Sequence, residues 1–269
     1  MPGFVVNGLT LHYEARGSGH PVLLLHGFTS RASTLERHGW VDLLVDAGLR
    51  PIAPDARSHG GSDRVFDPAA CTTRVLAGDV VALLDHLEIP QASLFGFSMG
   101  GGVALRVAMD WPARVTRLAV GGIGDAAIND RHDPSVIAEL AEVFADSADV
   151  PADTSAARIR RNAELAGNDL RALLPFLQQG GWPGGLRELS PVHAPALVIV
   201  AGGDEYMSDA DALLAWLTPT KVVRLANKGH YDVLGDETVK REVAAFLAGE
   251  PIDSRHAAKA REAWRHSGR

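Results

Sequence analysis

The stretch "FGFSMGGG" at positions 95–102 sets a serine between glycines, directly after an apolar run and directly before a helix-like one. It matches the pattern G-x-S-x-G, in which the serine occupies a strained turn from a strand into a helix. The flanking Gly96 and Gly100 would let the strand and helix backbones pack closely around that turn. The stretch therefore predicts that Ser98 is a nucleophile raised at the end of a strand.

The surrounding sequence has the strands and helices that this turn requires. Residues 92–97 are an apolar run typical of a buried strand, and residues 99–110 have a helical pattern. Asn7 and Gly8 predict the turn of a β-hairpin near the N-terminus. Further strands are predicted at 21–28, 50–54, 115–122, 196–202 and 221–226, and further helices at 33–47, 73–87, 209–217 and 236–249. This alternation predicts an α/β fold, with a mostly parallel sheet and helices on both faces.

One long segment, residues 125–190, breaks the alternation because it contains only helical patterns. A helical segment of that length is too long for one crossover between neighbouring strands. We therefore expect an inserted helical cap at 125–190, between a first core part at 1–124 and a second at 191–250. The basic stretch at 251–269 is expected to be a separate C-terminal tail.

The expected cap contains large apolar side chains that could face a substrate. Phe144, Phe176 and Trp182 are the candidates to line such a pocket. For each of them, a place in the cap's own packing core is the simpler interpretation. The sequence leaves these two interpretations open.

A serine at neutral pH needs a general base, and the base needs an acid that orients it. His230 and Asp204 each follow a predicted strand, and they come after Ser98 in the chain. The carboxyl ends of the strands are the edge at which open α/β sheets bind ligands. These positions predict a Ser98–Asp204–His230 triad, with Asp125 as the alternative acid because it also follows a strand.

An acyl-transfer site also needs two N–H groups that bind the developing oxyanion. Met99 directly follows the serine at the start of a predicted helix, and Phe28 ends the "HGF" segment after another strand. We expect their backbone N–H groups to form the oxyanion hole. His26 and His59 also attract attention as histidines, but we expect both to have structural roles.

Five segments together carry a family resemblance: "LLLHGF" (23–28), "APDARSHGGSD" (53–63), "GFSMGG" (96–101), "AGGDEY" (201–206) and "KGHYDVL" (228–234). They resemble the α/β-hydrolase superfamily, and especially its capped, cofactor-free esterases, perhydrolases and carbon–carbon bond hydrolases. Ser58 stands where that family usually has glycine, which puts the local backbone conformation in doubt. Haloalkane dehalogenases and epoxide hydrolases of this fold carry aspartate at the elbow, whereas this chain has Ser98.

Composition narrows the remaining function classes. A net charge of -7 argues against nucleic-acid binding. Cys71 is the single cysteine of the sequence, so an intramolecular disulfide is excluded, and no cysteine or histidine stands near it at the spacing of a structural zinc site. The N-terminus lacks the pattern of a secretory signal, and no apolar run approaches the roughly 20 residues that span a membrane. We expect a soluble, cytoplasmic protein without metal or cofactor. A homo-oligomer is compatible with the sequence.

The predicted triad and the resemblance favour a serine hydrolase that cleaves a small to medium carboxylic ester or lactone through an acyl-enzyme. A carbon–carbon bond hydrolase or a perhydrolase is the alternative within the same fold. A small-ligand receptor that turns over slowly or not at all is the alternative from another class. No member of the predicted triad is missing, which disfavours the receptor.

Overall fold

The computed structural model describes residues 2–125, 134–145, 154–178, 192–206, 209–217, 219 and 221–249. The strands in these residues are β1 (Gly3–Val6), β2 (Leu9–Ala15), β3 (His20–Leu25), β4 (Leu49–Pro54), β5 (Ala92–Phe97), β6 (Val115–Gly121), β7 (Ala196–Ala201) and β8 (Lys221–Leu225). The helices are α1 (Ala32–Arg37), α2 (Trp40–Asp46), α3 (Thr73–His86), α4 (Met99–Asp110), α5 (Pro134–Ala145), α6 (Ser155–Leu165), α7 (Leu170–Gln178), α8 (Asp211–Leu217) and α9 (Glu237–Leu247).

The strands form one sheet in the order β1-β2-β4-β3-β5-β6-β7-β8 within the described ranges. β2 pairs antiparallel with β1 and β4, and every neighbouring pair from β4 to β8 is parallel. After β3 the chain adds β4 on one side and β5 on the other, so the strand order reverses there. Such a switch point leaves a crevice at the carboxyl ends of the strands. The predicted mostly parallel α/β sheet is confirmed.

Two apolar cores lie on opposite faces of the sheet, because side chains alternate along each strand. On β3, Leu23 and Leu25 belong to the core that includes α3, α4 and α8. Val22 and Leu24 belong to the other core, which includes α1, α2 and α9. The central strands are thus buried on both sides, as their continuous apolar runs predict.

The N-terminal hairpin forms at the predicted turn. Asn7 and Gly8 both have positive φ, 50° and 79°, and Val6 pairs with Leu9 across the turn. Asparagine and glycine tolerate this conformation better than other residues do. The predicted hairpin is confirmed.

The single helix predicted at 33–47 is wrong, because the structure has two short helices, α1 and α2, in its place. Gly39 separates them with a φ of 78°, a left-handed conformation that interrupts a right-handed helix. Leu35 and Trp40 nevertheless join the same core. The apolar periodicity alone therefore concealed the break.

Helices α5, α6 and α7 lie between β6 and β7 and pack on one another through a third apolar cluster. Asn168, just after α6, connects these helices to two loops of the core through hydrogen bonds. Its Oδ1 accepts a hydrogen bond from the Gly60 N–H at 2.9 Å, and its Nδ2 donates to the Ser30 carbonyl at 3.3 Å. The described part of the segment predicted to be a cap is thus helical and attached to two core loops.

Some predictions fall outside the described residues, namely those on Trp182 and on the tail at 251–269. Among the residues that the structure describes, no helix is both long enough and apolar enough to cross a bilayer.

Candidate active site

Ser98 lies at the turn from β5 into α4, with φ 56° and ψ -120°. Its N–H donates a hydrogen bond of 2.9 Å to the Gly121 carbonyl at the end of β6, and its own carbonyl accepts from Gly101 and Gly102 in the first turn of α4. A non-glycine residue in this region of φ and ψ is strained, and such strain is concentrated at functional sites. The surrounding hydrogen bonds hold the strained turn in place.

The glycines around Ser98 are required by close backbone approach. A Cβ atom on Gly96 would overlap the Gly100 carbonyl, and a Cβ on Gly100 would overlap the Leu25 carbonyl at the end of β3. The first turn of α4 therefore sits directly against β3 and β5. The predicted reason for both glycines is confirmed.

His230 and Asp204 form a buried hydrogen-bonded pair. His230 Nδ1 lies 2.8 Å from Asp204 Oδ2, and both residues are 7% exposed. Asp204 follows β7, while His230 begins a short 3₁₀ helix, His230–Gly235, after β8. Because an ionised carboxylate only accepts hydrogen bonds, Nδ1 must carry the proton, and in the neutral ring Nε2 is the proton acceptor.

The ring of His230 lies beside the serine turn. Its centroid is 4.8 Å from that of Phe97, the residue before Ser98. A Cβ atom on Gly122 would come within 2.9 Å of His230 Cε1. Gly122 directly follows Gly121, whose carbonyl accepts the hydrogen bond from the Ser98 N–H. The structure thus brings all three predicted triad residues to one edge of the sheet.

Asp125, the alternative acid, has other partners. Its carboxylate oxygens accept hydrogen bonds from the N–H groups of Ala212 (3.1 Å) and Leu213 (3.0 Å), in the first turn of α8. A carboxylate at this position stabilises the helix N-terminus. Of the two candidate acids, Asp204 is the one that binds His230.

The loop that contains Phe28 lies against Ser98, and Met99 follows Ser98 in the chain. Gly27, next to Phe28, lies so close that a Cβ atom on it would be 3.3 Å from Ser98 Cβ. Met99 is the first residue of α4, where helix N–H groups have no partner within the helix. β3 ends at Leu25, earlier than predicted, so residues 26–28 form a loop against the serine turn.

His26 braces this loop. Its Nε2 accepts a hydrogen bond from the Ala56 N–H at 3.1 Å, so its Nδ1 carries the proton that is donated to the Gly27 carbonyl at 2.8 Å. Burial lowers the pKa of His26, which keeps the ring neutral. These bonds tie the loop after β3 to the loop after β4.

His59 is fully buried beneath the same loop. Its Nδ1 lies 2.9 Å from the Arg57 carbonyl, and its ring packs edge-on against Phe28 and Phe176, with centroids at 5.9 and 5.2 Å. Burial, together with the neighbouring His26, lowers the pKa of His59 to about 3. At neutral pH it is an uncharged, tightly packed ring.

Ser58, which departs from the family's usual glycine, has a φ of 64°. Glycine adopts such a left-handed conformation without strain, which explains the family's preference. Here the Ser58 hydroxyl donates to the Val65 carbonyl (3.3 Å) and accepts from the Val65 N–H (3.0 Å). The departure thus preserves the backbone conformation and adds two hydrogen bonds.

Phe144 and Phe176 both contact Phe28. Their ring centroids lie 5.8 and 5.9 Å from that of Phe28, and they are only 2% and 3% exposed. The inserted helices therefore rest on the loop that holds a predicted oxyanion donor. That these rings line a substrate pocket stays a prediction.

Sequence reasoning missed Tyr206 and the contacts of α6. The Tyr206 ring meets the His230 ring edge to face at 5.0 Å, and its N–H donates to Asp204 Oδ1 at 2.9 Å. On α6, Arg158 forms an exposed ion pair of 3.2 Å with Glu205. Proximity to the predicted acid was the available signal for Tyr206, because it follows Asp204 by two positions.

The described residues give little support for a cysteine nucleophile or for a metal site. Burial raises the pKa of the Cys71 thiol to about 12, so the thiol stays protonated at neutral pH. No group of three histidine, cysteine, aspartate or glutamate side chains suited to a metal ion occurs in the ranges that the structure describes.

Comparison with known proteins gives a match to the model of the alpha/beta hydrolase fold over residues 20–147. An epoxide hydrolase from Caballeronia sordidicola is 37% identical over 108 residues, which are 40% of this chain and 32% of that protein. A 2-hydroxymuconate semialdehyde hydrolase from Pseudomonas sp. (strain CF600) is 35% identical over 118 residues, 44% of this chain and 41% of that protein. Each match thus spans less than half the relative's length.

A longer match covers nearly the whole chain. The dihydrolipoyllysine-residue acetyltransferase component of the acetoin cleaving system from Pseudomonas putida is 30% identical over 261 residues, 90% of this chain and 68% of that protein. The crystal structure of epoxide hydrolase A from Mycobacterium thermoresistibile has the same fold, with a TM-score of 0.72 and 20% identity over 94% of this chain and 99% of that one. This chain therefore belongs to the α/β-hydrolase family.

Proposed function

We propose that this protein is a serine hydrolase that cleaves a small to medium carboxylic ester or lactone through an acyl-enzyme intermediate. The buried 2.8 Å hydrogen bond between His230 and Asp204, beside a serine held at positive φ, carries the proposal. An oriented, neutral imidazole next to a strained serine is the arrangement that activates a serine hydroxyl.

In the proposed mechanism, His230 Nε2 takes the proton of Ser98 Oγ as that oxygen attacks the substrate carbonyl. Asp204 holds the ring in the correct tautomer and stabilises the imidazolium that forms. His230 then gives the proton to the leaving alkoxide oxygen. A water molecule, deprotonated by the same nitrogen, attacks the acyl carbon and releases Ser98.

The backbone N–H groups of Phe28 and Met99 bind the oxyanion in this mechanism. The contact of Gly27 with Ser98 and the position of Met99 at the start of α4 support this assignment. The positive end of the helix dipole adds to the stabilisation. Loss of one such donor typically raises the transition-state free energy by about 2.7–4 kcal/mol.

Residues 125–190 act as the cap over this site. The support comes from α5, α6 and α7, whose apolar cluster packs against both Phe28, beside the loop near Ser98, and Tyr206, whose ring contacts His230. Phe144 and Phe176 contribute apolar surface through their contacts with Phe28. An apolar cap favours an uncharged substrate.

Cleavage of a carbon–carbon bond is the second candidate reaction. It is favoured by the similarity to a 2-hydroxymuconate semialdehyde hydrolase. Epoxide hydrolysis is disfavoured despite the similarity to epoxide hydrolases, because the family resemblance implies an aspartate nucleophile for that reaction. This chain has Ser98 at that position.

The test is Ser98→Ala, assayed on a panel of p-nitrophenyl esters of different acyl length and on lactones. We expect kcat to fall by about 10⁴ or more, because the nucleophile is lost, while the melting temperature stays near that of the wild type. Ser33→Ala on the outer helix α1 is the matched control and should retain full activity. Near-wild-type ester hydrolysis by Ser98→Ala would contradict the proposal.

Labelling and alternative substrates separate the rival functions. A fluorophosphonate should label Ser98, and labelling confined to another serine would argue against this nucleophile. Turnover of a vinylogous diketone without ester hydrolysis would select the carbon–carbon bond hydrolase. Peroxyacid formation from a carboxylic acid and hydrogen peroxide would select the perhydrolase. Tight binding of a small ligand without any turnover would select the receptor.

A further inference from the structure

One arginine on the inserted helix α6 contacts both of the loops that carry the proposed acid and base. The Nη1 atom of Arg158 lies 3.2 Å from Glu205 Oε1, and Glu205 directly follows Asp204 in the chain. The Cζ atom of Arg158 also lies 6.0 Å from the ring centroid of Tyr231, which directly follows His230. A single guanidinium therefore bridges the chain neighbours of the two hydrogen-bonded residues.

Both groups that Arg158 contacts lie against the segment around His230. The Tyr231 ring meets the His230 ring edge to face, with centroids 5.5 Å apart. Glu205 lies beside Gly229, since a Cβ atom on Gly229 would be 3.7 Å from Glu205 Oε2. Gly229 directly precedes His230. The residue before the histidine and the residue after it are thus each next to Arg158 or to its ion-pair partner.

The chemistry of arginine suits this double contact. A planar guanidinium can donate hydrogen bonds from its edge to a carboxylate while its face lies over an aromatic ring. A cation within about 6 Å of a ring centroid is attracted to the negative face of the ring. Burial raises the pKa of Tyr231, and the positive charge of Arg158 is among the groups that oppose this shift. The charge of Arg158 is therefore felt at the Tyr231 hydroxyl.

The ion pair is too exposed to have folding stability as its main contribution. The side chains of Arg158 and Glu205 are 51% and 38% exposed, and ion pairs this accessible to water stabilise a fold little. Geometry is the more sensitive quantity at this place. The proposed proton transfers need His230 within hydrogen-bond reach of Ser98, and a small displacement of a catalytic group lowers the rate strongly.

We propose that Arg158 is a positioning residue for the proposed acid–base pair, which bridges the loops of Asp204 and His230 from helix α6. This inference rests on the proposed serine-hydrolase function, in which His230 transfers a proton in both half-reactions. Arg158 acts through Glu205 and Tyr231 and is not itself a catalytic residue. The inserted helices then do more than cover the site, because one of them sets the geometry of its base.

The inference is tested with Arg158→Gln, assayed for kcat and KM on p-nitrophenyl butanoate. We expect kcat to fall about fivefold, with KM within about twofold of the wild type, because a displaced His230 slows both half-reactions while the binding surface is kept. The melting temperature should stay within about 2 °C, since only an exposed ion pair is lost. Arg161→Gln makes the same change at an exposed position of the same helix and should keep the wild-type kcat.

Two further variants separate positioning from a structural role. Glu205→Gln should also lower kcat, and the double variant should be no slower than Arg158→Gln alone, because the two side chains share one contact. Arg158→Lys keeps a charge for Glu205 and should recover part of the lost kcat. The recovery should be incomplete, because an ammonium group has no planar face to lay over the Tyr231 ring.

Three outcomes would overturn the inference. One is an unchanged kcat in Arg158→Gln, and another is a rise in KM alone, which would make Arg158 a substrate contact. The third is a loss of kcat that Arg158→Lys does not recover or that Arg161→Gln shares, which would indicate a general disturbance of α6. Failure of the proposed function would look different, because Ser98→Ala would then hydrolyse the ester at the wild-type rate.

Discussion

Two of the serines that the structure describes hold backbone conformations that side chains rarely adopt, and the surroundings of each explain why. Ser98 has a φ of 56° and Ser58 a φ of 64°. At Ser98 the conformation lifts a side chain out of the turn between β5 and α4, as the proposed mechanism requires. At Ser58 the hydroxyl exchanges two hydrogen bonds with the Val65 backbone, which offsets the strain.

Replacement of Ser58 should separate strain from hydrogen bonding. In Ser58→Ala the strained backbone stays but both bonds to Val65 are lost, so the free energy of unfolding should fall by about 1–3 kcal/mol. Ser58→Gly loses the same bonds but relieves the strain, so its loss should be smaller. Urea unfolding of the three proteins measures both effects. Greater stability of Ser58→Ala than of Ser58→Gly would contradict this account.

At the scale of single residues, the sequence was most informative where the residue types that a catalytic triad needs follow predicted strands in the order that the fold requires. The positions of Asp204 and His230, each after a strand, predicted the pair that the structure shows, with Asp125 left as the alternative acid. Tyr206 could not be recognised in this way, because a tyrosine in a loop has no pattern of its own. Its position beside the His230 ring is revealed only by the folded arrangement.

Among the contacts between elements, the one between helix α4 and strand β3 bears most directly on the geometry around Ser98. It brings the first turn of α4, which begins at Met99, against the end of β3, and the loop at 26–28 lies against Ser98. The separation of the two proposed oxyanion donors depends on this contact. The contact in turn depends on the absence of a side chain at Gly100.

A single methyl group should therefore disturb the site. In Gly100→Ala the added Cβ would overlap the Leu25 carbonyl, which is backbone and cannot rotate away. We expect a loss of about 1–3 kcal/mol in the free energy of unfolding and a larger proportional loss of kcat, as the oxyanion donors shift.

The matched control for this substitution is Gly78→Ala on α3, where a Cβ would meet nothing within 4 Å. Alanine is favoured over glycine within a helix, so this variant should gain about 0.4–1 kcal/mol with activity unchanged. Thermal unfolding and ester hydrolysis of both variants provide the comparison. Unaltered activity in Gly100→Ala would mean that the contact does not position the site.

Sequence patterns predicted most elements to within a few residues, and the errors have a common cause. Apolar periodicity reports which face is buried, and α1 and α2 bury theirs in the same core. The break at Gly39 therefore left the pattern intact. The 3₁₀ helix that begins at His230 is too short to have a period of its own, so apolar periodicity does not predict it.

For the molecule as a whole, burial of neutral histidines next to the site links stability to pH. His26 and His59 pack against each other with centroids 5.1 Å apart, and both hold backbone groups of the loops that surround Ser98. Burial lowers the pKa of each ring, to about 3 for His59. In the unfolded chain both return to about 6.5, the ordinary value for histidine.

The fold should therefore lose stability in mild acid. Below pH 6.5 these histidines bind protons in the unfolded chain but stay neutral in the folded protein, so the free energy of unfolding falls with decreasing pH. For His59 this effect continues down to about pH 3, the pKa of its ring in the folded protein. Each histidine contributes at most about 1.4 kcal/mol per pH unit. Urea unfolding between pH 7.5 and 5, above the carboxylate range, measures the slope. His59→Asn keeps a side-chain donor for the Arg57 carbonyl but cannot titrate. The free energy of unfolding of this variant should therefore fall less steeply with decreasing pH, by up to about 1.4 kcal/mol per pH unit, which corresponds to one bound proton. An unchanged slope would assign the acid sensitivity to other groups.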